Sequence, residues 1–187
     1  MMFFAKLISY LFHPVILIMA MPYLVVYRQT GNQIYALKWQ IFSSLFIFLG
    51  VLLFLFGRWR GIFSDSDLFK KDERSKFYII TWFLAFLYFT AALFLKGVFF
   101  PLSIIALGIV FGIIVLEVVN RFIKASLHVG IASAFVTATG LLFGNTAFLA
   151  IVLTIPLLAW ARWVLKKHTS QEIVFGGFLG MAVTLLT

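Results

Sequence analysis

The sequence contains no cysteine and very few charged residues, and each absence excludes a class of protein. Without cysteine there is no disulfide framework and no thiolate metal site. Charged residues make up 11% of the chain and hydrophobic residues 64%. Because a soluble domain is about half apolar and about a quarter charged, this composition excludes a water-soluble globule. We therefore expect an integral membrane protein.

Acidic residues are also scarce. Six Asp and Glu stand against 15 Lys and Arg, which gives a net charge of +9. Four of the six lie in the segment 58–76, so no evident carboxylate set for a metal ion is left elsewhere. The basic residues stand between apolar runs and form no single stripe. This pattern favours lipid headgroups or a phosphorylated substrate as partners and disfavours nucleic acid.

Long apolar runs make up most of the chain. A helix needs roughly 20 apolar residues to cross the hydrocarbon core of a bilayer. The runs are continuous and do not alternate with polar residues, so they predict an all-α, polytopic transmembrane helical bundle of about six or seven spans. The predicted spans are 6–27, 37–57, 77–95, 99–119, 128–143, 146–163 and 170–187.

The first of these runs stands where a signal peptide would stand. Its only charged residue is Lys6, its apolar part is too long for a signal peptide, and no clean cleavage site follows, so we expect a retained first span. Pro14 and Pro22 fall in this span and Pro101 near the start of the fourth, where kinks are tolerated. Without an internal repeat or a linker, residues 1–187 are predicted to form one domain.

Glycines recur at helical spacing in two spans. Gly108 and Gly112 form a G-x-x-x-G pair in the fourth span, and Gly176, Gly177 and Gly180 lie in the last. Small residues at this spacing let two helix backbones approach closely in a membrane. We therefore predict tight helix packing at both places.

Three polar segments are predicted to emerge on one face of the membrane, because two spans separate each from the next. They are residues 58–76, 120–128 and 162–170. The basic residues expected on that face are Lys6, Arg58, Arg60, Lys70, Lys71, Arg74, Lys76, Arg121, Lys124, Arg162, Lys166 and Lys167, against Arg28, Lys38 and Lys96 on the other. Under the positive-inside rule this bias makes the rich face cytoplasmic.

The segment 162–170 holds the most distinctive chemistry. Arg162 and His168 would not share a face of one continuous helix, so a break is predicted between the last two spans. Thr169-x-x-Glu172 has the pattern of a capping box that opens the final helix. Glu172 also lies one turn beyond His168, where a carboxylate can orient an imidazole and leave Nε2 free as a nucleophile.

The other two segments supply further candidates. Around the second, Glu117, Asn120, Arg121 and Lys124 follow at helical spacing, and Ser126 and His128 open the next span. An ionisable group at the end of a span is a functional candidate. The first segment reads mostly as a solvated loop at the headgroups, from which Arg74 is the cation expected to fold over the site.

These motifs together resemble the type 2 phosphatidic acid phosphatase superfamily, which includes the vanadium haloperoxidases. The family pattern is K-x6-R-P, then P-S-G-H, then S-R-x5-H-x3-D. This chain has His13-Pro14, then Arg74 after a D-x-x-K-K-D-E loop, then K-A-S-L-H at 124–128, and R-x5-H-x3-E from Arg162. It departs from the family at Asp67, Ser75, Ala125, Leu127, Ala161 and Glu172.

The resemblance implies a metal-independent lipid phosphatase without a cofactor. His168 would attack phosphorus and form a phosphohistidine, Glu172 would orient it, and His128 would protonate the leaving oxygen. The phosphoryl oxygens would be held by Arg162, Arg74, Lys124 and Ser126. The substrate would be a phosphorylated lipid or a polyprenyl diphosphate at the membrane surface.

Two other interpretations remain open. Asp65, Asp67 and Asp72 are typical of the magnesium-diphosphate loop of a membrane prenyltransferase, although that chemistry needs a second acidic cluster. The departures from the family pattern also allow a non-catalytic lipid-binding or transport protein on the same scaffold.

Overall fold

The computed structural model describes residues 1–65, 68, 70–96 and 100–186, and the regular structure in these ranges is helical. Asp67 and the link after Lys96 lie outside the described residues. The helices are α1 (Met2–Leu11), α2 (Pro14–Thr30), α3 (Gln33–Trp59), α4 (Lys71–Lys96), α5 (Phe100–Asn120), α6 (Leu127–Phe143), α7 (Asn145–Ile151), α8 (Thr154–Val164) and α9 (Ser170–Leu186).

The predicted all-α bundle of apolar helices is confirmed. In the described part of the chain, four helical stretches are long and apolar enough to cross a membrane: Met2–Thr30, Gln33–Trp59, Lys71–Phe94 and Asn145–Val164. Three further apolar helices are shorter: Ala106–Asn120, Leu127–Phe143 and Ser170–Leu186.

The stretch that contains the first predicted span is interrupted at Phe12 and His13, which divide it into α1 and α2 beside Pro14, where the sequence allows a kink. Pro14 is the first residue of α2, where its missing N–H costs nothing, and it disfavours a helical conformation of His13 before it. His13 is extended, and its Nδ1 accepts the N–H of Val15 at 3.3 Å. This histidine is therefore the N-cap of α2.

The sixth predicted span is also broken, between α7 and α8. Pro156 lacks the N–H that would donate to the carbonyl of Val152 in a continuous helix, and the chain makes a tighter turn there. The Thr154 hydroxyl donates to the Ile151 carbonyl at 2.7 Å across the break. Pro22, by contrast, lies inside α2, and the N–H of Tyr23 after it donates to Gln40 Oε1 of α3 at 3.1 Å.

Helices α6 and α9 pack with their backbones in contact, as the glycines of the last span predict. A Cβ atom on Gly176 would lie 2.5 Å from the Ser126 carbonyl oxygen, and one on Gly180 would overlap the carbonyl oxygen of Gly130. Gly112 of α5 packs against Val183, which also lies on α9. Only glycine fits at 176 and 180, so the two helices approach more closely than side chains allow.

The polar segments meet at one end of the bundle. The Lys71 ammonium donates to the Arg121 carbonyl at 3.3 Å, and Lys124 donates to the Lys167 carbonyl at 3.5 Å. The opposite end is tied by Arg28, whose Nε donates to the Leu142 carbonyl at 2.8 Å. The predicted convergence of three separate polar segments is therefore present in the folded chain.

Replacing Gly180 with alanine should destabilise the bundle, because the added methyl group collides with the α6 backbone, which cannot move aside as a flexible side chain would. We expect a loss of about 1–3 kcal/mol in the free energy of unfolding, measured in detergent. The matched control is Gly177→Ala, whose methyl group would make an ordinary contact with Val129 at 3.5 Å. Equal stability of the two variants would contradict the backbone contact.

Candidate active site

The turn from α8 to α9 places His168 beside the end of α8. The Lys167 N–H donates to the Arg162 carbonyl at 3.1 Å and the Lys166 N–H to the Trp163 carbonyl at 2.9 Å, the hydrogen-bond pair of a Schellman motif. Lys166 occupies the left-handed position of this motif, with φ 53°, where glycine is the usual residue. The break predicted between Arg162 and His168 is thus confirmed as a reversal of the chain.

Glu172 both caps α9 and holds the imidazole of His168. Its Oε2 accepts the Thr169 N–H at 3.0 Å, while its own N–H donates to the Thr169 hydroxyl at 3.3 Å. The same Oε2 lies 3.1 Å from Nδ1 of His168. A carboxylate only accepts, so the hydrogen of a neutral His168 sits on Nδ1, and the lone pair of Nε2 is left for another partner.

His168 is held in its neutral form. Burial of the imidazole, together with the positive charges of Lys124 and Arg162, lowers its pKa from 6.5 to about 4, although Glu172 acts in the opposite direction. Its side chain is 5% exposed. At neutral pH the ring is therefore a base with a free nitrogen, the form that a histidine nucleophile needs.

A cationic cavity of about 540 Å³ opens at this position. Three lysines and one glutamate contribute its charged groups, so it favours an anion. The residues that line it are Lys124, Trp163, Lys166, Lys167, His168, Thr169, Ser170 and Glu172. Two separate polar segments thus contribute to one cavity, as the sequence predicts for Lys124, His168 and Glu172.

Arg162 and Ser126 do not line the cavity, but each is next to residues that do: Arg162 precedes Trp163, and Ser126 is hydrogen-bonded to Glu172. Arg162 is 4% exposed and donates from a terminal guanidinium nitrogen to the Ser9 hydroxyl at 3.2 Å. Ser126 is fully buried before α6, and its N–H donates to the Glu172 carbonyl at 3.0 Å. In the described part of the chain the Ser126 hydroxyl is buried without a hydrogen-bond partner, so its hydrogen-bonding capacity is unused.

His128 lies in the first turn of α6, two residues after Ser126. Its ring packs edge-to-face against that of His13, with centroids 5.3 Å apart and planes at 88°. His128 is not one of the residues that line the cavity around His168. The structure therefore places it at the same end of the bundle as His168, next to a histidine that the sequence alone does not assign to the site.

Arg74 belongs to a neighbouring polar cluster between α4 and α5. It is buried, and its guanidinium donates to the side chain of Asn120 and to the Leu68 carbonyl, the latter at 3.2 Å. Beside it, the Ser75 hydroxyl donates to Glu117 at 2.9 Å. Arg74 therefore binds to the polar stripe on α5 and does not line the cavity around His168.

Sequence reasoning missed four residues at this site. Lys166 and Lys167 figured only in the charge bias, although their position next to His168 was a usable signal. Ser9 and His13 lie more than a hundred residues from their partners, and no local pattern connects them. Among the residues that the structure describes, no three His, Asp or Glu side chains are grouped to hold a metal ion.

Comparison with known proteins finds no matching family model, no matching curated protein and no matching solved structure. The geometry of the cavity and the chemistry of the groups that line it are therefore the indications of function.

The titration of His168 gives a direct test of this geometry. Lys124→Gln should raise the pKa of His168 from about 4 towards 6.5, because one of the two cations that disfavour the imidazolium is removed. Imidazole nitrogen resonances measured by NMR across a pH series report the midpoint. The control Lys38→Gln, on α3 at the other end of the bundle, should leave it unchanged. If the two variants titrate with the same midpoint, Lys124 does not act on His168.

Protein stability should follow the same titration. The folded pKa lies below the unfolded value, so the unfolded chain binds more protons once the pH falls below 6.5. The contribution of His168 to stability is full above that pH and is lost as the pH falls towards 4.

Proposed function

We propose that this chain is an integral membrane phosphatase that hydrolyses lipid phosphates or diphosphates through a phosphohistidine. One observation carries the proposal: His168, held through Nδ1 by Glu172, lies in the wall of a cavity with three lysines, and this environment lowers its pKa. Phosphoryl transfer asks a protein mainly for positioning and for cationic charge around the phosphoryl oxygens. This arrangement offers both, together with a nucleophile.

In the proposed reaction, Nε2 of His168 attacks phosphorus and the bond to the leaving oxygen breaks. His128 gives that oxygen its proton and then accepts one from the water that hydrolyses the phosphohistidine, so the free enzyme is restored. Lys124 and Arg162 offset the negative charge that the phosphoryl group brings. The Ser126 hydroxyl donates to one of its oxygens.

The substrate is proposed to approach from the lipid phase. All seven apolar segments, including the three shorter helices, then span the membrane, and the cavity lies at the level of the headgroups. Trp59, Phe122 and Trp163 are exposed at the cavity end of the bundle, where aromatic side chains favour the membrane interface. A phosphate head can enter the cavity while its acyl or prenyl chains remain between helices.

This chemistry is that of the type 2 phosphatidic acid phosphatase superfamily, in which we propose to place the chain. Arg74, which that resemblance assigns to the phosphate, is held by Asn120 and Leu68 in the neighbouring cluster. We propose that Lys124, together with Lys166 and Lys167 in the cavity lining, supplies the remaining cationic charge.

Phosphate release from a panel of lipid phosphates tests the proposal. The panel contains phosphatidic acid, phosphatidylglycerophosphate and a polyprenyl diphosphate, presented in detergent to the purified protein. His168→Ala should lower turnover by at least about a thousandfold, because the nucleophile is lost. Gln171→Ala, an exposed neighbour in α9, is the control and should retain full activity.

The other interpretations predict different outcomes of the same assay. Hydrolysis that survives His168→Ala would remove that residue from the nucleophile role. Activity that disappears with EDTA would favour the magnesium-dependent prenyltransferase, whereas vanadate inhibition without metal dependence supports the phosphatase. Vanadate binding without turnover of any substrate would favour a non-catalytic lipid-binding protein.

The proposed orientation places the cavity at the cytoplasmic face. The chain has no cysteine, so single cysteines can be introduced without a prior cysteine-free background. Lys70→Cys, at the cavity end, should be protected in intact cells from a membrane-impermeant maleimide, and Asn145→Cys, at the other end, should be labelled. The reverse pattern would place the site on the outer face.

A further inference from the structure

The junction between α1 and α2 contacts the site at two points. The Ser9 hydroxyl accepts a hydrogen bond from Arg162, and the ring of His13 packs against that of His128. We infer that Ser9 and His13 are positioning residues of the reaction, one for the phosphate-binding arginine and the other for the general acid. This inference rests on the proposed function, and it makes the junction between α1 and α2 a support of the active site.

Ser9 fixes the guanidinium of Arg162. Both side chains are buried, and the hydroxyl lies 3.2 Å from a terminal nitrogen of the arginine. The charge of Arg162 in turn acts on His168, whose pKa it helps to lower, so the two groups are close enough to interact. A buried guanidinium with a fixed acceptor has a defined plane, which is what bidentate binding of a phosphoryl group requires.

His13 restricts the ring of His128. The backbone of His13 is fixed at the start of α2, and its Nδ1 accepts the Val15 N–H at 3.3 Å. The His13 ring therefore has a defined plane, and the His128 ring stands perpendicular to it at a centroid separation of 5.3 Å. Because this contact limits rotation of the His128 ring, it sets the direction in which its nitrogen can deliver a proton.

Capping alone does not account for a histidine at position 13. Asn, Asp and Ser are the preferred N-cap residues, and each would accept the Val15 N–H with a shorter side chain. What histidine adds at this cap is an aromatic ring that reaches α6. The two roles of His13 can be separated by substitution.

The first experiment concerns Ser9. Ser9→Ala should raise KM for the lipid phosphate and Kd for vanadate by about tenfold, the effect of one hydrogen bond to a charged group. Ser9→Thr keeps the hydroxyl and should restore both. The control is Ser43→Ala, which removes another buried hydroxyl, bonded to Tyr88 at 3.0 Å and far along the chain from the site. If Ser9→Ala behaves like Ser43→Ala in both measurements, Ser9 has no positioning role.

The second experiment concerns His13. His13→Asn keeps the cap and removes the ring, so we expect an unchanged melting temperature, a kcat lowered by about ten- to a hundredfold and a shifted imidazole resonance of His128. His13→Phe keeps a ring and removes the acceptor, so its melting temperature should fall. If His13→Asn matches the wild type in kcat and in the His128 resonance, the residue is only a cap and the inference is overturned.

These measurements separate failure of the inference from failure of the proposed function. If the wild type hydrolyses lipid phosphates while Ser9→Ala and His13→Asn are indistinguishable from it, the function stands and the inference falls. If the wild type hydrolyses nothing, the proposed function falls. In that case the side-chain nitrogen resonances of Arg162 and His128 decide the inference: unshifted resonances in the two variants overturn it, and shifted ones support it.

Discussion

Contact between the backbones of α6 and α9 sets the position of the groups around the cavity. Gly176 and Gly180 allow it, since a side chain at either position would enter the space of the α6 backbone. At the near end of this contact the Ser126 N–H donates to the Glu172 carbonyl, which joins the start of one helix to the start of the other. Lys124, two residues before Ser126, is thereby carried to the segment that holds His168.

Positive charges at the site disfavour the protonated form of His168. Three lysines and a buried arginine make the region cationic, and the imidazole of His168 is itself buried. Both influences disfavour an imidazolium, so His168 stays neutral even though Glu172 is hydrogen-bonded to it. A phosphoryl group carries the opposite charge, which is why a cavity with this lining favours an anionic ligand.

The two proline breaks have different consequences. The break before Pro14 brings an extended residue, His13, to the level of His128, so an interruption in an apolar segment places two imidazole rings in contact. The break before Pro156 shortens α8, the helix that delivers Arg162 to Ser9. In a membrane such breaks persist where other groups satisfy the freed backbone atoms, as the Thr154 hydroxyl does for the Ile151 carbonyl.

The spacing of residues along the chain determined the helices and the contacts that Glu172 makes at the start of α9. The fixed rise of a helix means that Thr169, Glu172 and His168 must meet once α9 begins at Ser170, and the continuous apolar runs require helices because lipid offers no hydrogen bonds to the backbone. The glycines of α9 predicted close packing, although not the helix against which α9 packs.

Contacts between distant segments were decided only by the tertiary structure: Arg162 donates to Ser9, His128 packs against His13, and Arg74 donates to Asn120. Such pairs depend on how helices pack and rotate against one another, and the residues themselves carry no periodic signal of that rotation.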